Sequence, residues 1–311
     1  MSITYTFVYF IGSFIVLSII GFIASWIDRK VTARIQWRVG PPWYQNFADF
    51  IKLTAKEVFI PENANKFTFV FAPVLSILGS VISGTILFLV LGKNFGFNGD
   101  LILLVYLLAL PSLGIILGGS SSGNVLSSVG VSRELKLLLG YELPFICGII
   151  VPAIKSGSTT SLVKILEFQQ TNKLIIFSLP GIIGFIISIF AITGKLGFVP
   201  FDLAEAEGEI SGGVLIEYSG ILLGLFKLAK SILLVVGPLF LVILYMGGIS
   251  FASISNTING ILKYVLILVL IVIIKNTNPR LRIDQAIRFF WGWLTILGIL
   301  SIILTFVQMY K

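Results

Sequence analysis

Eight apolar runs constrain this chain more than any other feature of its 311 residues. They fall at about 4–27, 68–92, 101–118, 135–154, 174–193, 214–247, 261–275 and 289–309. A helix needs about 20 mostly apolar residues to cross a bilayer, where each backbone N–H and C=O must be satisfied without water. So many runs of that length exclude a water-soluble fold. The hydrophobic share is 57%, against about 45–50% in soluble domains. The expected fold is all-α: a polytopic membrane protein of about eight transmembrane helices, with residues 1–311 as a single membrane domain. Hydropathy alone also allows 214–274 to divide near 236. The cluster Gly247, Gly248, Ser250, Ser253, Ser255, Asn256 and Asn259 reads as a loop and favours the division given. The first run has no basic stretch before it and is too long for a signal-peptide core, so it reads as a retained helix.

Lys and Arg concentrate in cytoplasmic loops. Placing the loop after the first helix in the cytoplasm puts 14 of them in cytoplasmic loops and six outside, with Lys227 and Lys230 inside a helix. The expected location is the plasma membrane, with both termini outside. The net charge of +8 reflects this loop bias and gives no reason to expect nucleic acid. There is no His, and Cys147 is the only Cys. One thiol cannot hold zinc or an iron–sulfur cluster, and His-ligated haem is excluded. No P-loop, G-x-G-x-x-G or Ser/His/Asp arrangement is present. The chain is expected to bind no cofactor and to be non-catalytic alone.

Two loops stand out. The first, 28–67, opens with "DRKVTARIQWR", turns at Gly40-Pro41-Pro42, and continues as an amphipathic helix over 45–58 with Phe47, Phe50, Ile51 and Val58 apolar, stopped by Pro61. This helix reads as an interfacial element, a docking surface for a cytoplasmic protein, or both. The second, 194–216, is acidic: Asp202, Glu205, Glu207, Glu209 and, just beyond, Glu217 fall within 16 positions of a chain with 14 acids. A helical 202–209 would put Asp202, Glu205 and Glu209 on one face. Such a cluster either binds basic partners or holds protons. A Ser/Gly stretch, 118–132, suits close backbone packing or a mobile loop.

Charges inside the apolar runs need a reason, since each costs roughly 2.5–3.5 kcal/mol on insertion scales. Glu142 reads as about seven residues into its helix. It is either a structural partner of Lys136 or Arg133 or a proton-relay carboxylate. Lys227 and Lys230 share a helix face about 15 Å from Glu217. They either bind carboxylates of a neighbouring subunit or line a hydrated path.

"PFDLAEAEGE…IEYSG" resembles the signature of the NADH dehydrogenase subunit 1 family of respiratory complex I. "ARIQWRVGP", "ADFIKLTAKEVFIP", "KFTFVFAPVL", "SRELKLLLGYELPF" and "NPRLRIDQAIRFFW" agree with the family, in its order, from about residue 24 to 293. The resemblance implies eight transmembrane helices, a position where a hydrophilic redox arm meets the membrane arm, and buried acids that begin a chain of charges toward antiporter-like pumping subunits. Glu142 looks like the family's Y-E glutamate. Asp202, Glu205, Glu207, Glu209 and Glu217 look like its loop and helix carboxylates. Arg133 and Asp284 look like its conserved-motif charges, and with Arg29, Arg34 and Arg38 they are expected at the redox-module interface.

Three departures narrow the resemblance. Val199 stands where quinone-using members carry Arg before P-F-D, the segment "GPPWYQ" is short, and Lys230 replaces a helix glutamate. The short "GPPWYQ" and the "GGSSSGN" loop look like the group 4 branch: membrane-bound [NiFe] hydrogenases and sulfane- or sulfur-reducing complexes. That branch implies ferredoxin as electron source and a coupling role without quinone. Its partners would be an iron–sulfur small subunit and a hydrogenase-like large subunit, carrying the clusters and a NiFe centre, together with antiporter-like membrane subunits. H⁺ or Na⁺ would be the ion moved. The alternative is the quinone-site subunit of an NADH or other quinone oxidoreductase. A free-standing ion transporter fits less well, because no internal repeat is recognisable.

Overall fold

The computed structural model describes residues 3–205 and 212–309, and every regular element among them is helical. In chain order these are α1 (Ile3–Ile35), α2 (Gln45–Ala55), α3 (Lys66–Lys93), α4 (Asp100–Ser121), α5 (Val125–Lys155), α6 (Leu162–Thr171), α7 (Leu179–Lys195), α8 (Gly220–Met246), α9 (Ile254–Thr277), α10 (Ile283–Ile287) and α11 (Thr295–Met309). A π-helical segment, Arg288–Leu294, joins α10 and α11 into one run. Among the described residues, seven helical runs are long and apolar enough to cross a membrane. The expected eighth is α7, whose 17 residues lie at the short limit for a span.

Helix α8 is the post of the bundle. Its sequence "ILLVVGPLFLVILY" is apolar on every side, the pattern of a helix surrounded by protein, and residues Ile232 to Tyr245 are all buried. Helices α1, α3, α7 and α9 pack around it. Apolar surface gives little drive for association within lipid, so small residues and hydroxyls set the close contacts. Gly79 of α3 faces Leu110 of α4, the Ser76 hydroxyl donates to the Pro111 carbonyl at 3.1 Å, and Ser13 meets Thr85 at 2.6 Å between α1 and α3.

Prolines inside helices leave a carbonyl four residues earlier without its usual donor. In two cases a tyrosine from elsewhere supplies one. Pro73 frees the Phe69 carbonyl, which accepts from the Tyr218 hydroxyl at 3.0 Å. Pro152 frees the Gly148 carbonyl, which accepts from the Tyr245 hydroxyl at 2.7 Å.

Several boundaries differ from the sequence reading. Helix α2 ends at Ala55, before Pro61: Lys56 is extended, and the Phe59 N–H is taken by the Ser219 hydroxyl at 2.9 Å. Its inward residues include Asn46, Phe47 and Phe50, while Ile51 is exposed. The Ser/Gly stretch is no mobile loop: only Ser122–Asn124 separate α4 from α5, and the Ser127 hydroxyl is buried on the Gly119 and Val214 carbonyls. Helix α8 starts at Gly220, so Glu217 precedes it. Residues 201–205 are not helical. Glu207 and Glu209 lie outside the described residues.

Candidate functional site

Alternating crossings bring the ends of α1, α4, α7 and α9 to the starts of α3, α5, α8 and α10, and side chains tie that end together. The Lys275 ammonium binds Asp28 at 2.8 Å, joining α9 to α1. Arg280 binds Asp202 at 2.8 Å, joining the acidic segment to the α9–α10 connection. Lys230 binds Glu205 at 3.0 Å. The Phe198 ring lies between two of these ammoniums, 4.3 Å from Lys275 and 5.9 Å from Lys230.

Deeper in the bundle, Lys195 closes α7 with a side chain only 2% exposed and an ion pair to Glu142. The Tyr141 and Phe145 rings flank its ammonium at 4.9 and 4.6 Å. Glu142 therefore has a partner, and it is neither Lys136 nor Arg133. It sits well inside α5, because α5 begins ten residues before the expected start, at Val125. The Tyr141 hydroxyl is turned to Ser112 at 3.0 Å.

Two cavities connect these pairs. The smaller has about 30 Å³ of room for water, enough for one or two molecules. Glu134, Asp202, Glu205, Lys195 and Lys230 face it. The larger has about 290 Å³ and lies between α1, α2 and α8, with Asp28, Arg29, Asp49, Lys227, Lys230 and Glu205 on its wall. Glu205 and Lys230 belong to both. The result is a file of alternating charges, from Arg29–Asp49 at 3.2 Å through Lys230–Glu205 to Lys195–Glu142, with water-sized space at each junction. Close alternating charges of this kind let a proton displaced at one pair shift the balance at the next.

Sequence reasoning misses Glu134 and Lys195 as site residues, and with them Asp28, Asp49, Lys275 and Arg280. A signal exists for Glu134: with Leu137, Tyr141 and Phe145 it forms one buried stripe of α5 at helical spacing. Lys195 reads in one dimension as a loop cation. Among the remaining predicted residues, Glu217 accepts from the Asn124 amide at 2.5 Å. Arg133 is half-buried, with a contact to the Leu203 carbonyl at 3.5 Å. Arg34, Arg38 and Asp284 are exposed, and Arg29 is held by Asp49. No group of three or more Cys, Asp or Glu stands where it could hold a metal ion among the described residues.

The profile of the NADH dehydrogenase family matches residues 8–306. The chain belongs to that family. It is 35% identical to the H-type subunit of NADH-quinone oxidoreductase from Thermomicrobium roseum, over 96% of this chain and 94% of that one. It is 30% identical to the corresponding protein of Carboxydothermus hydrogenoformans, over 91% and 83%. Among solved structures it superposes on a chain of the membrane-bound sulfane sulfur reductase, an archaeal respiratory membrane complex, with a TM-score of 0.87 and 30% identity over 96% of this chain and 99% of that one. As a member of the NADH dehydrogenase family, the chain is a membrane subunit of an oxidoreductase complex, and the family match spans both cavities.

Proposed function

We propose that the chain is the anchoring and coupling subunit of a ferredoxin-linked respiratory complex of sulfane-reductase or membrane-bound-hydrogenase type. It links electron transfer in a docked redox module to movement of H⁺ or Na⁺. The observation that carries this reading is the file of charges ending in the buried Lys195–Glu142 pair. A charge pair so deep in a bundle carries a desolvation penalty and is weak evidence of a stability role, whereas ionisable residues at membrane depth commonly mark ion routes. Val199 before P-F-D and the likeness to a sulfane sulfur reductase chain support the quinone-independent branch. The names of the NADH-quinone oxidoreductase relatives favour quinone as a second reading.

Docking falls to the end that carries the charges, which the Lys and Arg distribution assigns to the cytoplasm, with both termini outside. There Trp37 is 98% and Val39 95% exposed, beside Arg34 and Arg38. Tryptophan and arginine are enriched at protein interfaces. The partners would be an iron–sulfur small subunit, a hydrogenase-like large subunit with the clusters or NiFe centre, and antiporter-like membrane subunits.

The test replaces both members of the buried pair, Glu142→Gln with Lys195→Met, so that neither charge is left alone. The complex is expected to assemble and to oxidise ferredoxin, while ion movement per electron in sealed vesicles falls at least severalfold. An unchanged ratio would remove the relay role. Turnover that collapses on quinone extraction and returns with added quinone would move the chain to the second reading.

A further inference from the structure

The end of the bundle opposite the charge file is cationic. Among the described residues, Lys93, Lys155, Lys164, Lys173 and Lys263 stand there, against Glu167 and the fully buried Asp100. Glu205 and Gly212, between which Glu207 and Glu209 fall, lie at the other end, near the start of α8. At this cationic end Gly247 and Gly248, both at positive φ, turn the chain out of α8. The turn leaves a cavity of about 570 Å³ between α8, α9 and Gln170 of α6, within the usual range of small-molecule sites, about 300–1,000 Å³. Its α9 wall is one helix face: Asn256, Asn259, Lys263 and Leu266 recur at helical spacing. The Lys263 ammonium donates to the Met246 carbonyl, the last of α8, at 2.7 Å. That bond fixes the ammonium and uses one of its three N–H donors. Among the described residues Lys263 is the one charge on the wall; Glu167, a turn back from Gln170 on α6, does not line it. Lys263 also marks a boundary. Before it α9 carries Ser255, Asn256, Thr257 and Asn259, whereas 265–274 is unbroken Val, Leu and Ile. Leu262 and Leu266 are 60% and 45% exposed, so the wall bears amides outward of the lysine and open apolar surface beside and inward of it.

A fixed cation at the polar–apolar boundary, with amide donors on one side and exposed leucines on the other, complements an amphipathic anion. We propose that this cavity seats an anionic membrane phospholipid, its phosphate on Lys263, its headgroup against Asn256 and Asn259, and one acyl chain along Leu262 and Leu266. The lipid would tie α9 to the end of α8, the central helix of the bundle. This inference stands apart from the coupling reading, since it requires no turnover.

The test uses the intact complex in phosphatidylcholine vesicles doped with phosphatidylglycerol that carries a photoactivatable group near the headgroup. Cross-linked peptides are mapped by mass spectrometry. Label is expected on 246–250 and 256–266, above its level on the exposed face of α11. Lys263→Gln keeps a donor for the Met246 carbonyl and removes the charge. It should weaken that labelling about tenfold, the size of one charge-assisted hydrogen bond, while Lys263→Arg retains it. Asn259→Asp leaves Lys263 in place, sets a carboxylate at the seat and should weaken labelling as much. Labelling of α11 should stay constant in all three variants and reports correct folding. Equal labelling in wild type, Lys263→Gln and Asn259→Asp would overturn the proposal. So would either of two results that need no variant: equal labelling by a photoactivatable phosphatidylcholine, or wild-type label on 246–266 no higher than on α11, as when a partner subunit covers the seat. Complete displacement by millimolar inorganic phosphate would overturn the lipid in favour of a small anion.

Discussion

The Lys195 side chain is 2% exposed, and its ammonium rests on Glu142 between two aromatic rings. Removing one member of a buried pair commonly loses about 3–5 kcal/mol because the other charge stays buried alone, whereas removing both is often near neutral. Glu142→Gln by itself is therefore expected to destabilise the protein by about 3 kcal/mol and to lower the amount of assembled complex. Adding Lys195→Met should restore most of both, as measured by thermal unfolding in detergent and by native gels. The Lys230–Glu205 pair offers a contrast. Its side chains are 30% and 33% exposed, so solvent screens it, and Glu205→Gln should cost no more than about 1 kcal/mol. If both single changes cost the same, burial does not set the difference.

At the level of elements, two transmembrane helices contain prolines whose freed carbonyls are met by tyrosines from other segments. The Tyr245 hydroxyl on Gly148 joins α8 to α5, and the Tyr218 hydroxyl on Phe69 joins the segment before α8 to α3. Tyr245→Phe should destabilise by about 1 kcal/mol, the usual net size of such a bond in protein or membrane. In a Pro152→Ala background the new N–H takes the Gly148 carbonyl, and the same change should cost less. A double-mutant cycle read by unfolding in micelles measures that coupling, and strict additivity would show that the tyrosine does not serve the proline. The π-helical run Arg288–Leu294 also has a packing role: it sets Phe290 against Phe201 at 4.5 Å and Tyr141 at 6.2 Å, closing the bundle beside the Glu142 pair.

Across the whole molecule, the exposed tip at Trp37 and Val39 and the basic residues Arg34 and Arg38 lie at the same end as the charge file. A partner seated there would bury a large aromatic beside two cations. Arg34→Glu with Arg38→Glu is expected to release the soluble subunits from membranes without altering the membrane subunits, as read by the redox proteins that co-sediment with vesicles. Full retention after the double reversal would place docking elsewhere. Arg29 is a poorer target for this experiment, because Asp49 already holds it and its loss would also disturb the larger cavity.

Most of the fold was legible in the sequence. The crossings follow from transfer of apolar side chains into lipid, a property each segment has by itself, and so the apolar runs match the observed spans. Several charged residues of the file were also visible, because a charge within or beside an apolar run stands out in one dimension; Glu134 and Lys195 escaped because they sit near the ends of apolar runs, and Asp28 and Asp49 because they read as ordinary loop or surface charges. Partners were not legible. Glu142 meets Lys195 across 53 positions and Asp28 meets Lys275 across 247, and no local pattern specifies which charge a helix will face after packing. The same holds for the Ser/Gly turn, whose sequence allows either close packing or mobility until the buried Ser127 hydroxyl is seen on two carbonyls, and for α2, which ends at Ala55 ahead of a Phe59 N–H that Ser219 captures from 160 residues away. Hydropathy determined what enters the membrane, and the tertiary structure decided which polar groups satisfy one another there, since a hydrogen bond or ion pair depends on distance and direction that only the assembled bundle provides.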